Sequence, residues 1–429
     1  MLKEKVLIIG MGISGSAVAD YLKKQNIATI CADDSLEKLH LFQKKGYEIL
    51  KKGEAFPSDI HSCVCSPGIP LDHPLRKIVE EKAIPIIGEF QLGLMLLKNK
   101  KCYRCLGVTG TNGKTTTTLF AAHLLNHAGK TARAIGNVGD PVIAALDATE
   151  EVLVIEASSF QLAHLGKHNF FEAAVILNIT PDHLDFHKSI EAYQEAKACM
   201  LDCVNVDNPV YIHEELRFVF PFKKCFVYSF LKNFVKTCLK KEGLLEGTYE
   251  HDIDNYAAAL SIVSVILPIS ESVFCKAVKT FQKPEHRIEF VKDICNVHYV
   301  NDSKGTNLGA VVQAVYSISG PIILIAGGKG KNIDFSFWRS LFRSKIKAIF
   351  AIGESAADIY KALSPEYDVF CVHDLELAVK AAHDIAAQGE TVLLSPGCSS
   401  FDQFNGYDHR GNCFKKLVTS LSKDEEDES

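Results

Sequence analysis

No apolar run in this chain of 429 residues approaches the roughly 20 residues that a membrane-spanning helix needs, so the sequence offers no transmembrane span. No strong charge bias is present either. A formal net charge of -5 gives no reason to expect nucleic-acid binding. There is no second C-x-x-C to complete a zinc ribbon with Cys102 and Cys105, so the fourteen cysteines read as scattered thiols of a cytoplasmic protein. Internal repeats and low-complexity linkers are missing. So are the nucleophile elbow G-x-S-x-G and the metalloprotease motif H-E-x-x-H. Without an evident enzyme nucleophile, a catalytic reading must let bound substrates react with each other, with catalysis by positioning and by neutralising phosphate charge.

What is present is a repeated alternation of strand and helix, which predicts an α/β fold with mainly parallel sheets flanked by helices. Three segments are expected, with residues 1–92, 93–283 and 284–429 as domains. "KVLIIG" at the start is read as a buried strand leading into a glycine loop, not as a signal peptide. "ATICAD" and "SCVCSPGIP" follow as strands of the same segment. The third segment predicts five strands in doubly wound order, from "VHYVNDSK" to "ETVLLSPG". Residues 205–250 carry no interpretable motif, and the acidic tail "KDEEDES" reads as a solvated end.

The most informative loop is "GVTGTNGKTTTT", residues 107–118. It lacks the first glycine of the usual G-x-x-x-x-G-K-[ST] pattern, since Val108 stands there. Gly110 and Gly113 still allow close backbone approach, and a helix start follows, so anionic phosphates should bind here. Lys114 can reach terminal phosphates and the Thr115 hydroxyl can ligate Mg²⁺. Glu156 ends the strand "VLVIE" and should face the same crevice, and "NITPDHLDFH" adds Asp182, His183 and Asp185 beyond another strand.

Two further constellations predict ligand sites. Gly10-Met-Gly12-Ile-Ser-Gly15 is a G-x-G-x-x-G between strand and helix, with Asp33 and Asp34 after the next strand. Alone it fits a nicotinamide oxidoreductase, which would leave the ATP-type loop unexplained. In the third segment, "NDSKGTN" (301–307), "GGKGKN" (327–332) and "SPGCSSFDQF" (395–404) should open on one edge of one sheet. Lys304, Lys329 and Lys331 would make that edge a receptor for an anionic small molecule.

Taken in order, "GVTGTNGKTTTT", "EASSFQL", "ILNITPDHLDFH", "EHDIDNYAAAL", "EHRIE", "NDSKGTN" and "SPGCSSFDQF" resemble the blocks of the Mur ligases over nearly the whole chain. The last two resemble those members that act on UDP-N-acetylmuramoyl-L-alanine and D-glutamate. The resemblance implies a three-domain enzyme, Rossmann-like at both ends around a P-loop-type ATPase domain. It would be a cytoplasmic monomer of peptidoglycan precursor synthesis. It implies that ATP phosphorylates the alanine carboxylate and that the D-glutamate amine attacks the acyl phosphate. Another Mur-type or a folylpolyglutamate-type amide ligase stays open as an alternative, as does a non-catalytic nucleotide-binding protein.

Residue by residue, the resemblance implies that Ile13, Ser14, Asp33, Asp34, Ser66, Pro67 and Gly68 contact the UDP moiety. Asn137 and His183 would touch the muramoyl-alanine part. Asn112, Gly113, Lys114, Thr115 and Thr116 would cradle ATP, with Asn255 at the adenine and Arg287 and Asp302 reaching it on domain closure. Thr115, Glu156, His183 and a carbamylated Lys197 would hold Mg²⁺; Lys114, Glu156, His183 and Lys197 would form the catalytic set. Lys304, Thr306, Lys331, Ser400 and Tyr407 would bind D-glutamate. The chain departs from the family pattern at Tyr407, where phenylalanine is common, at Glu285, where proline is often found, at Asp252 in place of asparagine, and at the extra Lys329.

Overall fold

Three sheets organise the chain in the computed structural model, which describes residues 5–100, 103–163, 165–220, 225–330 and 333–428, with the backbone alone at 185, 343 and 422–428. The first sheet contains β1 (Val6–Ile9), β2 (Thr29–Ala32), β3 (Glu48–Ile49), β4 (Ser62–Cys65) and β5 (Ile86–Gly88), in the order β3-β2-β1-β4-β5. All its pairings are parallel. Strand order reverses between β1 and β4, and the glycine loop follows β1 at that reversal, where open α/β sheets leave a crevice.

The second sheet is also parallel throughout. Its strands are β6 (Arg104–Thr109), β7 (Ala132–Gly136), β8 (Val152–Glu156), β9 (Ala173–Ile176), β10 (Val210–Ile212) and β11 (Cys225–Val227), in the order β11-β10-β9-β6-β8-β7. β6 lies between β8 and β9, so the loop after it opens beside the ends of both. Every residue of β8 and β9 is buried, as expected of parallel strands covered on both faces. The uninterpreted stretch 205–250 supplies β10, β11 and the helix Lys232–Lys241.

The third sheet holds β12 (Glu289–Ile294), β13 (Val297–Asn301), β14 (Ile322–Gly327), β15 (Ile346–Ile352), β16 (Asp368–Cys371) and β17 (Thr391–Leu394), in the order β12-β13-β17-β14-β15-β16. The five expected strands are all there, and β12 is an addition. It pairs antiparallel with β13 through a two-residue turn in which Cys295 and Asn296 both have positive φ, 47° and 63°. That backbone suits a hairpin turn, which sequence usually announces with Asn-Gly or Asp-Gly, and a leading cysteine hides it.

Contacts divide the chain into two compact units. One comprises residues 1–179, 194–248 and 252–281 and carries the first two sheets; the other comprises 180–193, 249–251 and 282–429 and carries the third. The segment containing His183 therefore packs with the third sheet, although its neighbours in sequence belong to the second. Among the described residues no helix is long and apolar enough to cross a membrane.

Candidate active site

The glycine loop expected to bind phosphate lies between β6 and the helix Lys114–His127. Gly113 caps that helix with φ 84°, and a Cβ placed there would lie 2.2 Å from Asn255 Oδ1, so only glycine fits the turn. Asn178 braces the other side: its Oδ1 accepts from Asn112 N at 2.8 Å and its Nδ2 donates to Asn112 O at 3.0 Å. Asn255, from the helix Glu250–Ile266, accepts from Thr117 Oγ1 at 3.3 Å. Thr115 is half-buried at the first turn, whereas Thr116 is buried.

Two lysines meet at this loop. Lys114 Nζ donates to Gly110 O at 2.9 Å and to Thr111 O at 2.7 Å, curling over its own loop. Lys197 is only 1% exposed, and its Nζ donates to the same Gly110 O at 2.7 Å. Glu156, also 1% exposed, accepts from Asn137 Nδ2 through Oε1 at 2.7 Å. Its other oxygen, Oε2, is buried and has no hydrogen-bond partner among the described residues. A buried carboxylate oxygen without a donor is costly unless a cation or water satisfies it.

The first-sheet loop is tighter than its motif suggests. A Cβ on Gly15 would fall 1.9 Å from Gly10 O, so helix and strand touch there. Asp33 spends both carboxylate oxygens on the backbone, accepting from Met11 N at 2.6 Å and Ser35 N at 2.8 Å. Asp34 is exposed and faces His73 Nε2 at 3.5 Å. Ser66 Oγ donates to Gly10 O at 2.7 Å, which ties the Ser66-Pro67-Gly68 turn to the glycine loop; Pro67 and Gly68 stay exposed. Ile13 presents an apolar side chain that is 78% exposed, beside a half-buried Ser14.

In the second unit the clusters at 301–307, 327–330 and 395–404 open on one edge, because β17 lies between β13 and β14 and all three run parallel. Gly397 N donates to Gly305 O at 2.7 Å, and Lys329 N to Ser399 O at 2.9 Å, stitching the loops together. Asp302 accepts from Ser395 Oγ at 2.7 Å and Ile288 N at 3.3 Å. Burial pushes its carboxyl up to about 7, against the pull of these bonds and of nearby Arg287 and Arg410. Lys304 Nζ sits 3.8 Å from the centre of the Tyr407 ring, a cation–π contact. Thr306 is half-buried and Ser400 is buried. Lys331 lies outside the described residues, as does the side chain of Asp185. His183 has left-handed backbone, φ 54°, and its amide donates to Asp182 Oδ1 at 2.9 Å.

Residues 4–88 match the Mur ligase MurD-like N-terminal domain, 108–217 the Mur ligase middle domain, and 286–398 the Mur ligase glutamate ligase domain. A UDP-N-acetylmuramoylalanine–D-glutamate ligase of Protochlamydia amoebophila is 38% identical over 444 residues, covering 97% of this chain and 98% of that protein. The chain belongs to the Mur ligase family. Solved Mur ligases share its fold. The UDP-N-acetylmuramate-alanine ligase MurC of Thermotoga maritima covers 97% of this chain and 100% of its own, with TM-score 0.59 and 15% identity. The MurF ligase of Thermotoga maritima, solved in complex with ADP, covers 92% and 96%, with TM-score 0.59 and 13% identity.

Some polar groups of this Mur ligase escaped the reading of its sequence. Asn178 sits within the quoted "ILNITPDHLDFH", but only the folded loop reveals its two bonds to Asn112. Arg410, 1% exposed on the helix Tyr407–Glu428, donates to Ser303 Oγ at 3.0 Å, Ser303 O at 2.9 Å and Cys398 O at 3.2 Å. Burial pushes its guanidinium down to about 10. Glu89, at the start of the helix Glu89–Lys100, accepts from Ile143 N at 2.9 Å; burial raises its carboxyl to about 7.

Proposed function

We propose that this Mur ligase joins D-glutamate to UDP-N-acetylmuramoyl-L-alanine at the expense of ATP, in the cytoplasmic synthesis of peptidoglycan precursors. The observation that carries the reading is the glycine loop with Glu156 in the same unit, whose Oε2 has no hydrogen-bond partner among the described residues. Such a pair suits a nucleoside triphosphate accompanied by a hard cation.

The donors fit Mg²⁺. Among the described residues no group of three or more His, Cys, Asp or Glu could hold a metal. Mg²⁺ instead keeps waters and substrate phosphates and takes one or two protein oxygens. Glu156 Oε2 and the Thr115 hydroxyl would supply those oxygens. Lys197 would become a further oxygen donor if its buried amine were carbamylated. When bound, the cation would neutralise charge on the transferring phosphoryl group.

The chain's own residues do the rest. Asn112, Gly113 and Thr116 shape the cradle, Lys114 places a cation on the phosphates, and Asn255 faces the base. Ile13, Ser14, Asp34 and the Ser66–Gly68 turn hold the uridine nucleotide, with Asp33 bracing their loop; Asn137 and His183 receive the muramoyl-alanine end. Lys304, Thr306, Lys331, Ser400 and Tyr407 hold D-glutamate. An alanine carboxylate oxygen forms a bond to the γ-phosphorus as ADP leaves. The glutamate nitrogen then bonds to the carbonyl carbon as phosphate leaves, and the amine proton passes to water or a base.

The test is ADP release by purified protein with UDP-N-acetylmuramoyl-L-alanine and Mg-ATP, with and without D-glutamate. Release that requires D-glutamate is expected. Release independent of it, or faster with another amino acid, overturns the reading.

A further inference from the structure

We infer that Asn307 is a positioning residue for His183, acting through the carboxylate of Asp182. The inference rests on the proposed reading in that His183 belongs to the reacting site. All three residues lie in the same compact unit.

Asn307 uses both ends of its amide. Its Oδ1 accepts from Ala310 N at 2.8 Å and so caps the helix Leu308–Ser317. Its Nδ2 donates to Asp182 Oδ2 at 3.1 Å. The cap fixes which way the amide points, so the donor is aimed at Asp182 and cannot flip. Asp182 in turn holds the His183 backbone and lies close to its ring. Its Oδ1 accepts from the His183 amide at 2.9 Å, and its Oδ2 lies 3.6 Å from His183 Nε2.

His183 needs such a grip. It caps the short helical turn Leu184–His187 in the left-handed region, and Lys188 closes that turn with φ 69°. Non-glycine residues hold such backbone only where surrounding contacts impose it. Gly309 keeps the approach open at the other end, since a Cβ there would lie 2.9 Å from Thr180 Oγ1.

The helix alone does not demand asparagine. Serine and aspartate cap helices about as well. Asparagine alone among these three caps the helix and also offers an amide donor to a carboxylate. The second task therefore separates cleanly from the first by substitution.

The experiment uses the full chain with Asn307→Ser, Asn307→Asp, Asp182→Asn and the double variant Asn307→Asp/Asp182→Asn. Both position-307 variants keep the cap. Serine removes the donor, and aspartate sets a second carboxylate against Asp182. In the double variant the amide and the carboxylate trade places: the new carboxylate caps the helix and accepts from the new amide, which still accepts from the His183 N–H.

Misplacing a reacting group by a fraction of an ångström costs roughly tenfold or more, so kcat is expected to fall about tenfold in both position-307 variants. KM for ATP and the melting temperature stay near wild type, and the double variant recovers most of the loss. Resonances of the His183 ring, followed with isotope-labelled histidine, should move in both single variants at position 307. Unchanged kcat and ring resonances overturn the inference. So does a loss that tracks the melting temperature and is not recovered in the double variant. Wild-type protein without D-glutamate-dependent turnover would sink the proposed function instead, and the ring resonances would still decide the role of Asn307.

Discussion

Lys114 and Lys197 place their Nζ atoms on a single acceptor, the carbonyl oxygen of Gly110, at 2.9 and 2.7 Å. Lys114 also donates to Thr111 O, so both lysines are held by backbone carbonyls of the loop, where two like charges lie close together. An anion entering the loop relieves that repulsion, and Lys114, the more exposed of the two, is the one able to swing to it.

Lys114→Ala should therefore cost little in folding and much in chemistry. Turnover is expected to fall at least about a hundredfold, the scale of losing one preorganised electrostatic donor. Binding of the UDP substrate, measured by calorimetry without ATP, should survive. Joint loss of binding and turnover would mean that the loop, not its charge, had been damaged.

Glu156→Gln gives a contrasting outcome. The amide keeps an oxygen for Asn137 Nδ2 and removes a buried charge whose second oxygen lacks a donor among the described residues. The melting temperature should hold or rise, since an uncompensated buried charge is destabilising. Turnover should fall about a hundredfold or more, and excess Mg²⁺ should recover little of it. Full activity in the variant would remove Glu156 from the proposed metal donors.

Tyr407 should matter through its ring. With Lys304 Nζ 3.8 Å from the ring centre, Tyr407→Leu removes the cation–π contact and Tyr407→Phe retains it. A contact of this kind is worth about 0.5–2 kcal/mol, so KM for D-glutamate is expected to rise about three- to tenfold in the leucine variant. The phenylalanine variant should stay near wild type. Equal effects in both would assign the role to the hydroxyl.

The pH dependence of stability has a definite sign. Asp302 and Glu89 both have carboxyls raised to about 7 by burial. The folded chain thus keeps protons that the unfolded chain releases near pH 4. Their contribution to stability is fully present below the unfolded values and is lost as pH rises toward about 7. Melting temperatures measured across that window should decline less in Asp302→Asn and in Glu89→Gln than in wild type. A slope unchanged in both variants would mean that other groups set it.

What the sequence disclosed follows from which contacts are local. The conformation of the 107–115 loop was legible because Gly110 and Gly113 act through the backbone of their own segment. The shared edge of residues 301–307 and 395–404 was legible because parallel strands with helical crossovers bring every strand's carboxyl end to the same side. Strand β12 was not, since Cys295-Asn296 turns the chain without the usual glycine. Nor was Arg410, whose partners Ser303 and Cys398 lie 107 and 12 residues away in sequence. His183 groups with the third-sheet unit, where Asp182 meets Asn307 across 125 residues, and no local pattern could announce that contact.

The 1.9 Å approach between Gly10 O and a Cβ at Gly15 bears on how such chains are catalogued. A pattern scan for nicotinamide cofactors would collect this one, because its third glycine records the closeness of helix and strand, whatever ligand lies above. The discriminating evidence is the acid after β2: a ribose seeking Asp33 would have to displace the amides of Met11 and Ser35 from it. In this chain the glycine pattern alone therefore reports helix–strand packing, and the commitment of Asp33 to backbone amides is what sets it apart from a free ribose-binding acid.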